Sequence, residues 1–306
     1  MDSDARLRQV ADAAGLDIAE APVPLPSDSN DAWKIGDRVL RICWRGDRHR
    51  VRREAIVLAH LPDDVPHPPL VAAGEIDDLT WTLTSWLPGR VEHDRVDIGQ
   101  LGEAMCALHA WDPPEEVRAA LVVRPPVSDI HDIIGADLNC LPVDRALQLV
   151  EPATHLDNLD PHLVIQLGAH LESLRSVDPL TNPTDGVVVH GDAHLNNVIW
   201  EDGRLVALLD YEWARLGPPD LELQPLLACD DAAGLITSFV RAYPGSAGHP
   251  DVVERLWLYD LSATLRDLFV KVPLPASDDV PPWHPKRRLG VVLEGPGYIE
   301  ALLDGI

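Results

Sequence analysis

The sequence predicts an α+β protein in two parts: an antiparallel sheet with helical additions over residues 1–88, then a mainly helical region over residues 89–306. Three observations carry this. Short apolar runs flank tight polar turns in the first part, as β-hairpins require. Pro88-Gly89 then breaks the pattern. Beyond it, apolar residues recur at helical spacing.

The N-terminal elements follow in order. Residues 4–16 carry helical periodicity, with Leu7, Val10, Ala11 and Ala14 on one side, and Pro22, Pro24 and Pro26 end that pattern. Ala32–Ile35 and Val39–Trp44 surround Gly36-Asp37, which predicts a hairpin. Val51–Leu61 reads as a helix stopped by Pro62. Leu70–Ile76 and Thr80–Leu87 flank Asp77-Asp78 and read as a second hairpin.

In the second part, Asp97 is a candidate cap for a helix with Ile98, Leu101, Met105 and Leu108 on one face. Asp160-Pro161 has the N-cap and N1 chemistry of a helix start, with Leu163, Val164, Leu167, Leu171 and Leu174 facing inward. Val187–Val189, Val198–Trp200 and Leu205–Leu209 are short strands, and Val252–Val270 is a long helix. Val272–Pro285 is a proline-rich acidic loop. The tail, Lys286–Ile306, holds a helix interrupted at Gly295-Pro296-Gly297.

Charge narrows the partners. Fifty acids against 25 Lys and Arg give a formal net charge of −25, with only three lysines. Such a chain repels nucleic acid and anionic membranes and attracts cations. No apolar run of about 18 uncharged residues is present, so no membrane-spanning helix is expected. Met1–Glu20 is acidic and lacks the apolar stretch of a signal peptide. Cys43, Cys106, Cys140 and Cys229 are far apart and read as free thiols of a cytoplasmic protein. Nothing in the sequence sets an oligomeric state.

Chemistry concentrates between His190 and Trp213. Asp192 sits in a loop after one strand, Asn197 follows five residues later, and Asp210 ends the next hairpin. Phosphoryl transfer needs this set: one carboxylate to orient a hydroxyl and take its proton, an amide and a second carboxylate to hold Mg²⁺ against phosphates. His190, Asp192 and His194 alternate, which on a strand would face one way, but no further His or Asp clusters complete a hydrolytic metal centre.

HGDAHLNN at 190–197 and LLDYEWA at 208–214 resemble the catalytic loop and metal motif of the aminoglycoside phosphotransferase and choline kinase family, which reads H-G-D-x-x-x-x-N followed by an apolar strand ending in I-D-[WF]. The resemblance implies a two-lobed protein-kinase-like fold. It also implies transfer of a γ-phosphoryl group from ATP or GTP to a hydroxyl, with Asp192 as acid-base and Asn197 and Asp210 as Mg²⁺ ligands. Gly217–Leu223 resembles the G-D-P-x-x-D-L stretch, with Asp220 or Glu222 as its structural acid. Val39–Ile42 resembles the strand whose basic residue meets the phosphates, here Arg41, with Glu54 of Arg53-Glu54-Ala55 as its partner. Arg can clamp phosphate as well as Lys. Ser27, Ser29 and Asn30 fall where the phosphate loop belongs. Thr84–Gly89 resembles the hinge, with Ser85 and Leu87 offering backbone to the adenine. Leu101–His109 resembles a family helix ending in Leu-His.

The acceptor is expected to be a small hydroxyl compound carrying positive charge. Candidate contacts are Glu212, Asp230, Asp231, Asp260 and Asp267, the last two seven apart on one helix. An aminoglycoside fits, and so does a metabolite such as choline, an amino alcohol, homoserine or a sugar. A pseudokinase regulator would be expected to lack Asp192, Asn197 or Asp210, and all three are present.

Overall fold

A computed structural model describes residues 2–18, 21–27, 30–44, 47, 49–92, 96–122, 140–182, 184–304 and 306. The chain divides into two compact units. One comprises Met1–Val96, Asp112–Pro125 and Leu195–Ala214; the other comprises Asp97–Trp111, Pro126–His194 and Arg215–Ile306.

The first unit is built on a five-stranded antiparallel sheet. Its strands are β1 (Val23–Leu25), β2 (Asp31–Ile35), β3 (Arg38–Cys43), β4 (Leu70–Ile76) and β5 (Leu79–Ser85), in the order β1-β2-β3-β5-β4. Both expected hairpins form. Gly36 (φ 58°) and Asp77 (φ 49°) supply the left-handed residue each tight turn requires. β1 was not expected, because Pro22, Pro24 and Pro26 read as breakers. Pro24 is tolerated because β1 is an edge strand with one neighbour, β2, so a missing N–H can face outward.

Alternation along β3 sends Leu40 and Ile42 into a core with Trp33, Ile35, Trp81 and Leu83, and leaves Arg41 on the opposite face. Helix α1 (Ser3–Ala14) closes the core side with Leu7 and Val10. Helix α2 (His49–Leu58) starts two residues before the expected span, ends three before it, and buries Arg50, Arg53 and Glu54 as well as Val51, Ala55, Val57 and Leu58.

The same unit carries a hairpin of β7 (Val198–Glu201) and β8 (Arg204–Leu208). Arg90 exchanges backbone hydrogen bonds with Trp200 at 2.9 and 2.8 Å. Gly89 (φ 102°) permits this approach, since a Cβ there would stand 2.4 Å from the Trp200 carbonyl oxygen.

The second unit is mainly helical. It contains α3 (Gly99–Ala110), α5 (Val143–Ala153), α6 (Pro161–Ser173), α7 (Ala232–Ala242), α8 (Val252–Val270), α9 (Pro285–Leu293) and α10 (Gly297–Leu303), while α4 (Glu115–Val122) belongs to the first unit. Asp160 caps α6 by accepting from His162 N at 2.9 Å, with Pro161 at N1, as the sequence predicts. In α6, however, Leu163 is exposed, while Val164, Leu167 and Leu171 are buried. Helix α8 spans the expected residues and is buried along most of its length, from Leu256 through Leu265. Strands β6 (Val187–Val189) and β9 (Arg215–Gly217) pair antiparallel. The tail holds two helices, α9 and α10, separated at the expected Gly-Pro-Gly. Helices α5, with Pro152 in its last turn, and α7, with Gly234 in its first, are additions to the expected elements.

Candidate functional site

In the first unit, the face of the sheet opposite its core carries a charge cluster centred on Arg41. Its Nη1 stands 2.6 and 2.7 Å from the two carboxylate oxygens of Glu54, and its Nη2 reaches Asp210 at 2.8 Å and Glu212 at 3.3 Å. Burial disfavours the guanidinium charge, but Asp210, Glu54 and Glu212 outweigh it and raise the Arg41 pKa above its ordinary value. At Glu54, burial with help from Asp210 and Glu212 pushes the carboxyl up, against the attraction of Arg41.

Asp210 follows β8 and has φ 69° and ψ 56°, the left-handed region that non-glycine residues seldom adopt. Such strain persists where surrounding contacts over-determine it, commonly at functional sites. Here those contacts include the Arg41 pairing. The Asn197 carbonyl accepts from Leu209 N at 2.8 Å, which ties the segment of Asn197 to that of Asp210. Both side chains offer oxygen donors, the type a hard divalent cation takes, so the residues fit Mg²⁺. Among the described residues no group of three or more His, Cys, Asp or Glu is arranged for a metal, so the alternation of His190, Asp192 and His194 does not assemble one.

Several expected contacts take other roles. Glu212 is 1% exposed and is bonded by Asn30 Nδ2 at 3.0 Å, Arg50 at 3.1 Å and Arg41, so it is an internal anchor and not an acceptor contact. Arg53 donates to the Glu212 carbonyl at 2.8 Å, which further fastens this segment to α2. The Asn30 side chain is buried in the same network, bonded to Glu212 and not turned toward a ligand. Ser27 Oγ accepts from Asn30 N at 3.4 Å. Ser29 lies outside the described residues.

At the expected hinge, Ser85 N donates to Pro69 O at 3.0 Å and Trp86 N to Asp37 O at 2.7 Å. The Ser85 N–H is therefore not available to an adenine. Leu87 is half-buried, and its backbone has no hydrogen-bond partner among the described residues.

In the second unit, Asp192 follows β6 in a loop turned by Gly191 (φ 79°). Its side chain is 16% exposed and its Oδ2 stands 3.5 Å from His194 Nε2. The loop backbone is held by Glu222, which is fully buried and accepts from His190 N and from Gly191 N, the first at 2.5 Å and the second at 3.3 Å. Behind Glu222 lies His109 at 3.5 Å, whose Nδ1 meets the Tyr243 hydroxyl at 3.0 Å. Burial opposes ionisation of Glu222, but His109 and the His190 backbone outweigh it and hold the carboxyl below its ordinary range. His190 Nδ1 accepts from Asp192 N at 3.3 Å, so this histidine also braces the loop. Of the two acids after the loop, Glu222 holds it, while Asp220 pairs with Arg255 at 2.9 Å and accepts from Tyr259.

The acceptor acids separate. Asp260 is 2% exposed and is taken by Arg288 and the Tyr298 hydroxyl, which corrects the expectation that it shares an open face with Asp267. Asp231 caps α7 through Gly234 N at 3.2 Å, and Asp230 beside it is exposed. Asp267 stays 42% exposed at its side chain, 2.8 Å from Arg266 Nη1. Burial of the carboxyl raises its pKa, Arg266 and Lys271 pull against that, and the Asp192 charge adds a smaller push upward. The sequence did not flag Arg50, Arg53 or Tyr243, whose partners lie more than 100 residues away.

Residues 23–252 match the model of the phosphotransferase enzyme family, and the chain belongs to that family. It is a phosphotransferase of the kinase class, with the antiparallel-sheet N-terminal region and helical C-terminal part of the kinase-like fold. No curated protein matches the chain. Among solved structures, it is similar to a thermostable mutant of the aminoglycoside phosphotransferase APH(4)-Ia in ternary complex with ADP and hygromycin B, at 17% identity and TM-score 0.63 over 94% of this chain and 97% of that one. It is also similar to a choline/ethanolamine kinase family protein from Mesorhizobium loti, at 18% identity and TM-score 0.64 over 98% and 97%. A third is the streptomycin–ATP–APH(2")-IIa ternary complex, at 13% identity and TM-score 0.61 over 96% and 97%. At these identities the likeness to solved structures is one of fold.

Proposed function

We propose that the protein transfers the γ-phosphoryl group of ATP or GTP to a hydroxyl of a small cationic acceptor. The observation that carries this reading is the Arg41–Glu54–Asp210 cluster, a cation fixed by two acids beside an oxygen-donor pair, in a member of a phosphotransferase family. Arg41 binds nucleotide phosphate, and Glu54 sets the guanidinium's orientation. The Leu87 backbone meets the adenine at the hinge. Asn197 and Asp210 hold Mg²⁺, which when bound neutralises phosphate charge.

Asp192 accepts the hydroxyl proton as that oxygen bonds to the γ-phosphorus and the bond to the nucleotide's leaving oxygen breaks. Glu222 keeps the loop backbone, and so the Asp192 carboxylate, in one place. His194, beside Asp192, orients the carboxylate.

Asp267 supports a cationic acceptor, because it is a partly exposed carboxylate of the same unit as Asp192. Asp230 and Asp231 remain as exposed acids of the same unit. Aminoglycosides and amino alcohols are the acceptor classes, by analogy with the hygromycin B and streptomycin complexes and the choline/ethanolamine kinase-like neighbour. The test is nucleotide turnover against a panel of aminoglycosides, amino alcohols and neutral sugars, with ATP and GTP compared. Transfer to a cationic member, lost in Asp192→Asn, is expected. No nucleotide binding and no transfer to any member overturns the reading.

A further inference from the structure

Helix α2 has two working faces. Arg50, Arg53 and Glu54 grip the Glu212 segment and Arg41. The opposite face, with Arg52 and Ile56, and the turn after the helix, with Ala59 and His60, wall a cavity of about 500 Å³ that β4, β5 and Glu116 of α4 complete. That volume suits a small molecule. The floor is apolar, formed by Leu70 and Ala73 with Ala55 and Ile56 of α2.

The rim chemistry selects the ligand. His60 Nδ1 lies 2.9 Å from the Ile56 carbonyl, which only accepts, so Nδ1 carries the proton. In the neutral ring Nε2 then presents a lone pair toward Glu116 Oε2, 3.8 Å away. Two acceptors face each other across a gap that an N–H donor fills. Arg52 and Glu75, 3.7 Å apart, offset each other and leave Glu116 as the net charge. An apolar floor below a negative, acceptor-lined rim is complementary to an amine on an aliphatic or aromatic body.

We propose that this cavity is a regulatory site for a small apolar amine, held between His60 and Glu116, whose occupancy reaches Arg41 through α2. A ligand shifts the nucleotide site only as far as it prefers one placement of the helix. Because Glu54 shares a helix with the wall residues Arg52, Ala55 and Ile56, and His60 follows that helix by two residues, a small movement at one face changes the grip on Arg41 at the other. The coupling rests on the nucleotide reading above; amine binding does not.

The test titrates phenethylamine, hexylamine and neutral phenethyl alcohol into the full chain without nucleotide or acceptor, using calorimetry. The wild type and the Glu116→Gln, Ala59→Trp and Asp267→Asn variants are compared. Both amines bind the wild type, the alcohol binds about tenfold more weakly, and Glu116→Gln costs a similar factor. Ala59→Trp fills the space from an exposed position and abolishes binding. Amine-free protein that fails to bind nucleotide would indict the catalytic reading alone. Saturating amine shifts nucleotide affinity about fivefold in the wild type and not in Ala59→Trp. Four results overturn the proposal: no amine binding, equal binding of the alcohol, binding that survives Ala59→Trp, or binding lost in Asp267→Asn instead, which assigns the amine to the acceptor site. Binding with no shift in nucleotide affinity overturns its regulatory half.

Discussion

Arg41 meets both carboxylate oxygens of Glu54 through one guanidinium nitrogen and reaches Asp210 through the other. The pair is enclosed, with side chains 16% and 4% exposed, and Arg41 is the cation that Glu54 and Asp210 share. Removing one leaves a buried charge uncompensated, which costs about 3–5 kcal/mol where burial is complete.

Arg41→Ala is therefore expected to raise the nucleotide KM by more than about tenfold while changing the acceptor KM less, because the proposed contact to nucleotide phosphate would be lost. Steady-state kinetics with each substrate varied in turn checks the ordering. A larger effect on the acceptor KM would remove Arg41 from the phosphate site. Lower thermal stability should accompany the substitution, and Arg41→Ala/Glu54→Gln should recover part of it.

Asp192→Asn keeps the loop shape and removes the proton acceptor. It is expected to reduce kcat by about 100-fold or more, the contribution typical of a positioned base, with nucleotide affinity nearly unchanged. Single-turnover transfer and equilibrium nucleotide binding measure the two halves. A variant keeping more than about a tenth of wild-type kcat is incompatible with general-base catalysis by this residue.

Asp210→Ala should abolish the Mg²⁺ dependence of nucleotide binding, since the remaining amide of Asn197 is a weak ligand for a hard cation. Titrating nucleotide with and without Mg²⁺ gives the comparison. An unchanged Mg²⁺ effect in the variant would assign the metal elsewhere.

Glu222 gives a pH prediction. Its folded-state carboxyl lies below the ordinary value, so the unfolded chain binds the proton more tightly. The stability this contributes is present above the unfolded value, near 4.3 for glutamate, and is lost as pH falls through the folded value. Wild-type protein should therefore lose more stability than Glu222→Gln on acidification below about pH 4.3. At neutral pH Glu222→Gln should cost roughly 1–3 kcal/mol, the penalty for disturbing buried hydrogen bonds, and should lower kcat. Denaturant unfolding across pH reads the difference. Parallel curves for the two proteins would mean that Glu222 does not hold the loop as a carboxylate.

What the sequence made legible was local. Gly36, Asp77 and Asp160-Pro161 act on their immediate neighbours, so turn and cap chemistry placed both hairpins and the start of α6. The spacing of Asp192, Asn197 and Asp210 was readable for the same reason. Glu212 and Asn30 were not, because they meet across 182 residues. Asp260 shows the limit most clearly. Its spacing from Asp267 suggested a shared open face, yet Arg288 and Tyr298, 28 and 38 residues on, claim it in the interior. Helical spacing says which residues share a side, and only packing says what that side meets.

Asp267 carries the acceptor prediction that Asp260 does not. It is partly open to solvent, and its ion-pair partner is Arg266. On the proposed reading an acceptor ammonium pairs with the exposed side of this carboxylate. Asp267→Asn should then raise the KM for a cationic acceptor by about tenfold, equivalent to about 1.4 kcal/mol, and leave that for a neutral sugar unchanged. The partial exposure of Asp267 adds a salt dependence, because exposed charges are screened within about 8 Å at 0.15 M ionic strength. KM for the cation should rise with salt in the wild type and rise less in Asp267→Asn, since the variant has less attraction to lose. The net charge of −25 contributes steering to both proteins alike, so the difference between their salt slopes isolates Asp267 from the general acidity of the surface. Identical slopes, or a marked preference for a neutral sugar, would rule out cation recognition by this residue and favour a sugar kinase.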